Sequence, residues 1–388
     1  MRMLDRTLRV CSLFAGCGGL DLGMAGGFEF LGTQYPHTGL KTVWAADNDP
    51  DAITTLRSNT KYFGWPDALD AKQIDLTEFM DYDSLPPFEI LAAGFPCQPF
   101  SNAGDRGGIN DKHGRGTLFE VCERLVNTLP QSNRPLAYVF ENVKGILSTR
   151  MPNGKSVPQE IVSRMETLGY DCAGPFLAKA ENYGVPQQRH RVIMVGLRKD
   201  LGKRFDYGIM KNYIISASLN HLKLRDVISN VDNLPDAKEI WHLSPQARYM
   251  VSMIHRSWKD VPYEKLPERF KRIRDNMERY RAPNFYRRFS FDEINGTITA
   301  SAQPENCGII HPVENRRFSV REIARIQSFP DDFVFAAKTV PAKYRLVGNA
   351  VPPILGYVIG CAIRDTIMEV ANGAVFSSTG GEMVRQST

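Results

Sequence analysis

The chain has 388 residues, long for one domain and enough for two, and its 43% hydrophobic content is ample for a buried core. With 48 basic and 43 acidic residues it is only mildly basic as a whole. Its seven cysteines are odd in number and form no CxxC pair, which argues against a disulfide framework or a zinc site and for a reducing compartment. No apolar signal region opens the chain, and the longest apolar run, 354–363, is too short to cross a bilayer, so a cytoplasmic protein away from membranes is expected.

Leu8 to Phe14 reads as a first strand, running into Ala15-Gly16-Cys17-Gly18-Gly19 and then a helix-periodic segment with Leu20, Leu22 and Met24. Strand, glycine turn and helix make the βα unit that binds nucleotides, although G-x-G-x-x-G fails because Asp21 holds the third glycine's place. Any α/β fold can carry such a turn. Thr42 to Ala46 is the next strand, ending at Asp47, an acid suited to a ribose diol, while Asp49 before Pro50 suits a helix cap. Asp75 either ends a third strand, where it could read an adenine amino group, or caps the segment from Thr77. The glycine turn has no Walker lysine and no second basic residue for a pyrophosphate. An adenosine cofactor without phosphates, S-adenosylmethionine, fits that set.

Phe88 to Ala93 reads as a buried strand that delivers Gly94-Phe95-Pro96-Cys97-Gln98-Pro99-Phe100-Ser101. Prolines on both flanks would aim a thiolate at Cys97, although most free cysteines are small buried hydrophobes. The glycine-rich stretch 101–116 suits a lid, and Thr117 to Leu129 a helix. Leu136 to Phe140 is a strand ending at Glu141, whose carboxyl beside Val139 and Phe140 could hold a proton near neutrality. Before a strand at 192–195 lies Gln187-Gln188-Arg189-His190-Arg191, where alternation puts Arg189 and Arg191 on one face. These two are either a guanidinium fork or surface arginines.

Beyond residue 201 the strand–helix alternation fades. Residues 201–290 hold 18 basic side chains against 10 acidic, interleaved with aromatics such as Trp258, Phe270, Phe285 and Tyr286. That composition suits a nucleic-acid surface, with a solvated helix face as the plainer reading. The α/β character returns after Thr297. Ser319 and Glu322 suggest a capped helix to Ser328, and GNAV at 348–351 leads into a last apolar helix over 354–371.

Taken together, FAGCGG, PCQPFS, ENV, QQRHR, REIARIQSFP and GNAV, in that order and spacing, resemble the DNA (cytosine-5) methyltransferases of prokaryotic restriction-modification systems. The resemblance covers about 1–200 and 297–365. It implies an α/β fold of the S-adenosylmethionine-dependent methyltransferase type, a mixed sheet with helices on both faces. The catalytic domain would comprise 1–200 and 297–388, and a smaller irregular target-recognition domain 201–296. It assigns Cys97 as nucleophile on C6 of a flipped cytosine, Glu141 to N3, Arg191 to O2 and Arg189 to their support. The cofactor pocket would take in Phe14, Ala15, Gly16, Gly18, Gly19, Asp47, Asn48, Asp75, Leu76, Pro96, Leu118, Asn349 and Ala350. Expected DNA contacts are Gln98, Ser101, Arg115, Arg272, Arg287 and Thr297. S-adenosyl-L-methionine would be converted to S-adenosyl-L-homocysteine on double-stranded DNA by a monomer needing no metal, beside a separate restriction endonuclease. Two features depart from the family: residues 28–42 are long, and Asp47 stands where Glu is commoner. The rival readings are an RNA (tRNA) cytosine-5 methyltransferase, whose Cys-Phe-Thr is missing here, and a non-catalytic DNA-binding protein.

Overall fold

Side-chain alternation along the first strand sets the layering. The structure, a computed structural model, describes residues 7–63, 69–95, 118–151, 154–215, 222–276 and 284–379, with side chains through 371. In β1 (Leu8–Leu13), Leu8 and Val10 enter one apolar core while Cys11 and Leu13 enter another on the opposite face. Six more strands extend the sheet: β2 (Leu40–Asp47), β3 (Asp70–Gln73), β4 (Ile90–Ala93), β5 (Ala137–Val143), β6 (Tyr170–Lys179) and β7 (His190–Arg198). The spatial order is β3-β2-β1-β4-β5-β7-β6. All neighbours run parallel except β7, which is antiparallel to both β5 and β6.

Helices cover both faces, as both cores require. Among them, α1 (Gly19–Ala25) and α2 (Pro50–Ser58) bury Leu22 and Leu56 on the β1 Val10 side. On the other side, α3 (Leu118–Thr128) and α4 (Val157–Thr167) bury Leu125 and Met165. Further along come α5 (Leu224–Ile228), α6 (Pro245–Met253), α7 (Glu268–Asp275), α8 (Val320–Ile326), α9 (Val340–Asn349) and α10 (Pro353–Thr379). The capping box expected at Ser319 and Glu322 starts α8, and Asp49 caps α2 by accepting from the Asp51 amide.

The last helix closes the fold against the first. A Cβ on Gly23 of α1 would lie 2.2 Å from the Pro353 carbonyl oxygen, and one on Gly360 would lie 2.8 Å from the Met24 Cα. The stretch Val340–Ala371 has the length and apolar content to cross a membrane, yet 94% of its most apolar window is buried inside the protein, so it is a core element. Replacing Gly23 with alanine should therefore destabilise the protein by about 1–3 kcal/mol through overpacking, outweighing the helix-propensity gain of about 1 kcal/mol. Urea unfolding checks this, and an unchanged or raised midpoint would contradict the close approach.

The long 28–42 link forms a hairpin, Phe28–Phe30 paired with Thr33–Tyr35, and its stacked Phe28 and Tyr35 rings pack edge-on against Tyr357 of α10. Past β7 the chain stays on the body beyond residue 201. Tyr207 donates to the Gly174 carbonyl and accepts from the Val195 amide, and Tyr213 donates to Asp365. The segment after 222 builds its own aromatic packing. Trp258, Phe270, Phe285 and Tyr286 are all buried and meet ring to ring, so these four are a core and not part of the nucleic-acid surface the composition suggested. Arg274 and Arg288 likewise turn inward and donate to backbone carbonyls, including those of Val261, Trp258, Ile254 and Val251. Arg256, Arg269 and Arg272 remain outside.

Candidate active site

The carboxyl ends of β1, β2, β4 and β5 meet at one edge of the sheet, the usual place for chemistry in such folds. Leaving β1, the chain turns through Phe14 at φ +55°, Gly16 at φ +56° and Gly18 at φ +84°. Gly18 must be glycine, because a Cβ there would lie 2.6 Å from Leu56 Cδ2. Gly19 packs on the last motif, where its Cβ would meet the Val351 carbonyl at 2.3 Å and the Ala350 Cβ at 3.1 Å. The turn at 14–19 and GNAV are thus neighbours despite lying more than 300 residues apart in sequence. Among the described residues nothing lies within 4 Å of a Cβ placed on Gly16.

Asp47 ends β2, and its carboxylate accepts from the Gly16 amide at 2.9 Å and the Asp49 amide at 2.9 Å. Burial pushes its pKa up, against those two amides. Asn48 beside it is exposed. Asp75 lies close by, since the Ile74 amide donates to the Asp47 carbonyl. Its side chain accepts from both the amide and the hydroxyl of Thr77, which pulls its pKa down; this is the local turn that rivalled the adenine role. Leu76 and Leu118 are buried in one apolar cluster with Leu13 and Phe95, against which Phe14 packs.

Glu141 lies inside β5, not at its end as expected, because the strand continues to Val143. It is 7% exposed, and its Oε1 sits 2.7 Å from Arg191 Nε. The antiparallel register sets Glu141 opposite Ile193 and Arg191 opposite Val143, so the two charges are diagonal neighbours on one face. Among the described residues that ion pair is the contact made to Oε1, and nothing else donates to it. Burial raises the Glu141 pKa, opposed by the charges of Arg191 and Arg189. A Cβ on Gly94 would lie 3.5 Å from Glu141 Oε2 and 3.8 Å from the Phe14 carbonyl oxygen. Asn142 donates to the Phe95 carbonyl at 3.2 Å. The segment entering Pro96-Cys97 is therefore tied to the Glu141 strand and beside the glycine turn. Pro96, Cys97, Gln98, Ser101 and Arg115, with the glycine-rich loop, lie outside the described residues.

Arg189 is fully buried and is no surface arginine. Its guanidinium donates to the carbonyls of Ile298, Gly348 and Ala350. Thr297 donates its hydroxyl to the Gln188 carbonyl at 2.5 Å, so the 295–298 segment docks on QQRHR. Asn349, the last residue of α9, is exposed. Arg272 is exposed on α7, whereas Arg287 is held by Glu293 at 2.7 Å and lies over the Phe289 ring. The sequence reading passed over Asn142, Gln187 and Gln327, buried amides that tie these pieces together. The only signal for them was their place inside ENV, QQRHR and REIARIQSFP.

The chain matches the family described as C-5 cytosine-specific DNA methylase over residues 8–365. It is 32% identical over 383 residues to the Type II methyltransferase M.Eco47II of Escherichia coli, covering 93% of this chain and 80% of that protein. Its identity to M.NgoFVII of Neisseria gonorrhoeae, another Type II methyltransferase, is 33%, covering 89% of this chain and 83% of that one. The solved structure of the S. pombe Dnmt2 methyltransferase shares the fold, with a TM-score of 0.58 at 18% identity over 92% of this chain and 99% of that one. The glycine turn beside GNAV and the buried Glu141–Arg191 pair thus sit in a chain that belongs to the C-5 cytosine-specific DNA methylase family: it is a DNA cytosine-5 methyltransferase.

Proposed function

We propose that the reaction runs where the glycine turn, the Gly94 strand end and Glu141 converge, with Cys97 as the nucleophile. The observation that carries this is the approach of Gly94 to both Glu141 Oε2 and the Phe14 carbonyl. The six described cysteines are all buried, and burial raises each thiol, Cys172, Cys307 and Cys361 to about 11. None of them offers a thiolate near neutral pH, which leaves Cys97.

Cytosine C5 is too weak a nucleophile to take a methyl unaided. A Cys97 thiolate adds to C6 and drives electron density onto C5, forming a covalent adduct. Glu141, whose pKa burial raises against the pull of Arg191 and Arg189, faces N3, and Arg191 donates to O2, so the charge that develops on the ring meets fixed partners. S-adenosylmethionine supplies the electrophilic methyl group, which C5 takes. A base then removes the C5 proton and Cys97 leaves as thiolate. The cytosine must first swing out of the duplex, at a cost of about a few kcal/mol.

For the methyl donor, the Gly16 turn, Asp47 at the end of β2, Leu76, Leu118 and Asn349 form a set that fits an adenosine without phosphates. Asp47 retains acceptor capacity beyond its two amide contacts. The segment 201–296, with exposed Arg256, Arg269 and Arg272, is proposed to read the target sequence. Thr297 is proposed to meet the phosphate of the target nucleotide. We also propose cytoplasmic action as a monomer that protects DNA from a separate restriction endonuclease, in keeping with the Type II names of its relatives.

Transfer of label from methyl-labelled S-adenosylmethionine tests the whole reading. Duplex DNA should take up label and tRNA should not, and bisulfite sequencing should map one recurring site. Exchanging 201–296 for a relative's segment should move that site. Labelled tRNA with unlabelled DNA would refute the substrate, and an unmoved site would refute the recognition segment.

A further inference from the structure

Three side chains, all fully buried, join the 297–298 segment to the 348–350 segment: Gln187, Arg189 and Gln327. Gln187 accepts from the Ile298 amide at 2.9 Å, while Arg189 donates to the Ile298 carbonyl at 2.7 Å. Both backbone groups of Ile298 are thereby clamped. At the other end, Arg189 donates to the Ala350 carbonyl at 2.9 Å, and Gln327 donates to the same oxygen. The two amides meet directly, with Gln187 Nε2 donating to Gln327 Oε1 and also to the Ile326 carbonyl. The backbones touch as well, since a Cβ on Gly348 would lie 2.4 Å from the Thr299 carbonyl carbon.

The cluster therefore runs without a break from Thr297 to Asn349. Its side chains come from two distant parts of the chain, 187–189 and 327, and reach backbone groups in two more, at Ile298 and at 348–350. Such groups can move only with their segments, and a buried amide that loses its partner is costly. We propose that Gln187 and Gln327 are positioning residues that lock the DNA-gripping segment at 297–298 to the donor-side turn at 348–350, so that each ligand raises affinity for the other. This rests on the proposed roles of Thr297 and Asn349. Neither glutamine touches a reacting atom. Thermodynamic linkage makes the effect reciprocal, so it can be read from either ligand.

The test uses the intact protein, S-adenosylhomocysteine, and a duplex carrying the site mapped by bisulfite sequencing. DNA affinity is measured with and without S-adenosylhomocysteine, for wild type, Gln327→Leu and Gln327→Glu. In wild type, S-adenosylhomocysteine should tighten DNA binding about fivefold or more. Both variants lose one of the two donors to the Ala350 carbonyl, Arg189 keeping the other, so the factor should fall clearly below the wild-type value while each ligand alone still binds. In parallel, hydrogen exchange on wild type alone should show the Ile298 amide slowed by S-adenosylhomocysteine without DNA, which needs no variant to fold. No mutual effect in wild type, an undiminished factor in a folded variant, or an Ile298 amide indifferent to S-adenosylhomocysteine would each overturn the proposal. Wild type that binds no S-adenosylhomocysteine at all would instead overturn the donor site on which it rests.

Discussion

Replacing Cys97 with serine is expected to cut methyl transfer by about 10⁴-fold or more, while affinity for DNA and for S-adenosylhomocysteine stays within a few-fold of wild type. The size follows from the chemistry. A serine hydroxyl stays protonated near neutral pH and is far too weak a nucleophile to add to C6. Binding should survive because the substitution changes one atom and most contacts assigned to the donor and the DNA lie elsewhere, on the 14–19 turn, Asp47, the 297–298 segment and 201–296. No described cysteine can substitute, since Cys11, Cys17 and Cys122 are sealed in the cores with thiols pushed well up by burial. Duplex DNA with 5-fluorocytosine at the target supplies the decisive readout. Fluorine at C5 blocks the elimination that releases the enzyme, so wild type should form an adduct stable to denaturation and Cys97→Ser should form none. Residual turnover near the wild-type rate, or an adduct in the serine variant, would remove Cys97 from the mechanism.

What the chain disclosed in advance follows the physics of each part. The strands β1, β2, β4, β5 and β7 are buried on both faces, so they are written as apolar runs and were legible. The edge strands were less so, β3 being only one of two readings of the stretch before Asp75. β3 is Asp70–Gln73, a polar stretch with one buried residue, and β6 carries Gly174 and Pro175 with a mixed burial pattern. Proline is tolerated there because an edge strand has unpaired groups to spare. The aromatic and basic run after 250 misled in part for a different reason. A small irregular unit needs rings for its core and arginines to satisfy its loop carbonyls, and Trp258 and Arg288 serve those needs with the same composition a nucleic-acid surface would have. Alternation paired Arg189 with Arg191; both charges act on Glu141, yet Arg189 spends its donors on the carbonyls of Ile298, Gly348 and Ala350. Gln327 lies 140 residues beyond Gln187 and no local pattern links them; only the fold brings them together.

Glu141→Gln should lower kcat by about 10²–10⁴-fold, because an amide can donate toward N3 but cannot deliver a proton. The wild-type rate should fall at alkaline pH as the Glu141 proton is lost, and that limb should vanish in the variant. The same substitution decides whether burial or the ion pair with Arg191 governs this carboxyl. Burial raises its pKa above the ordinary 4.5, and Arg191 pulls the other way. If burial prevails, the native state holds the proton more tightly than the unfolded chain does. The stability this contributes is complete below pH 4.5 and is lost as pH climbs through the native value. Wild type should then lose stability relative to Glu141→Gln as the buffer is taken from about pH 5 to about pH 8. Urea unfolding of both proteins across that range gives the slope. A difference that stays flat across that range, with stability lost only as pH falls below 4.5, would mean that Arg191 holds the group ionised, in which case Glu141 could only accept at N3 and the proton would have to come from elsewhere.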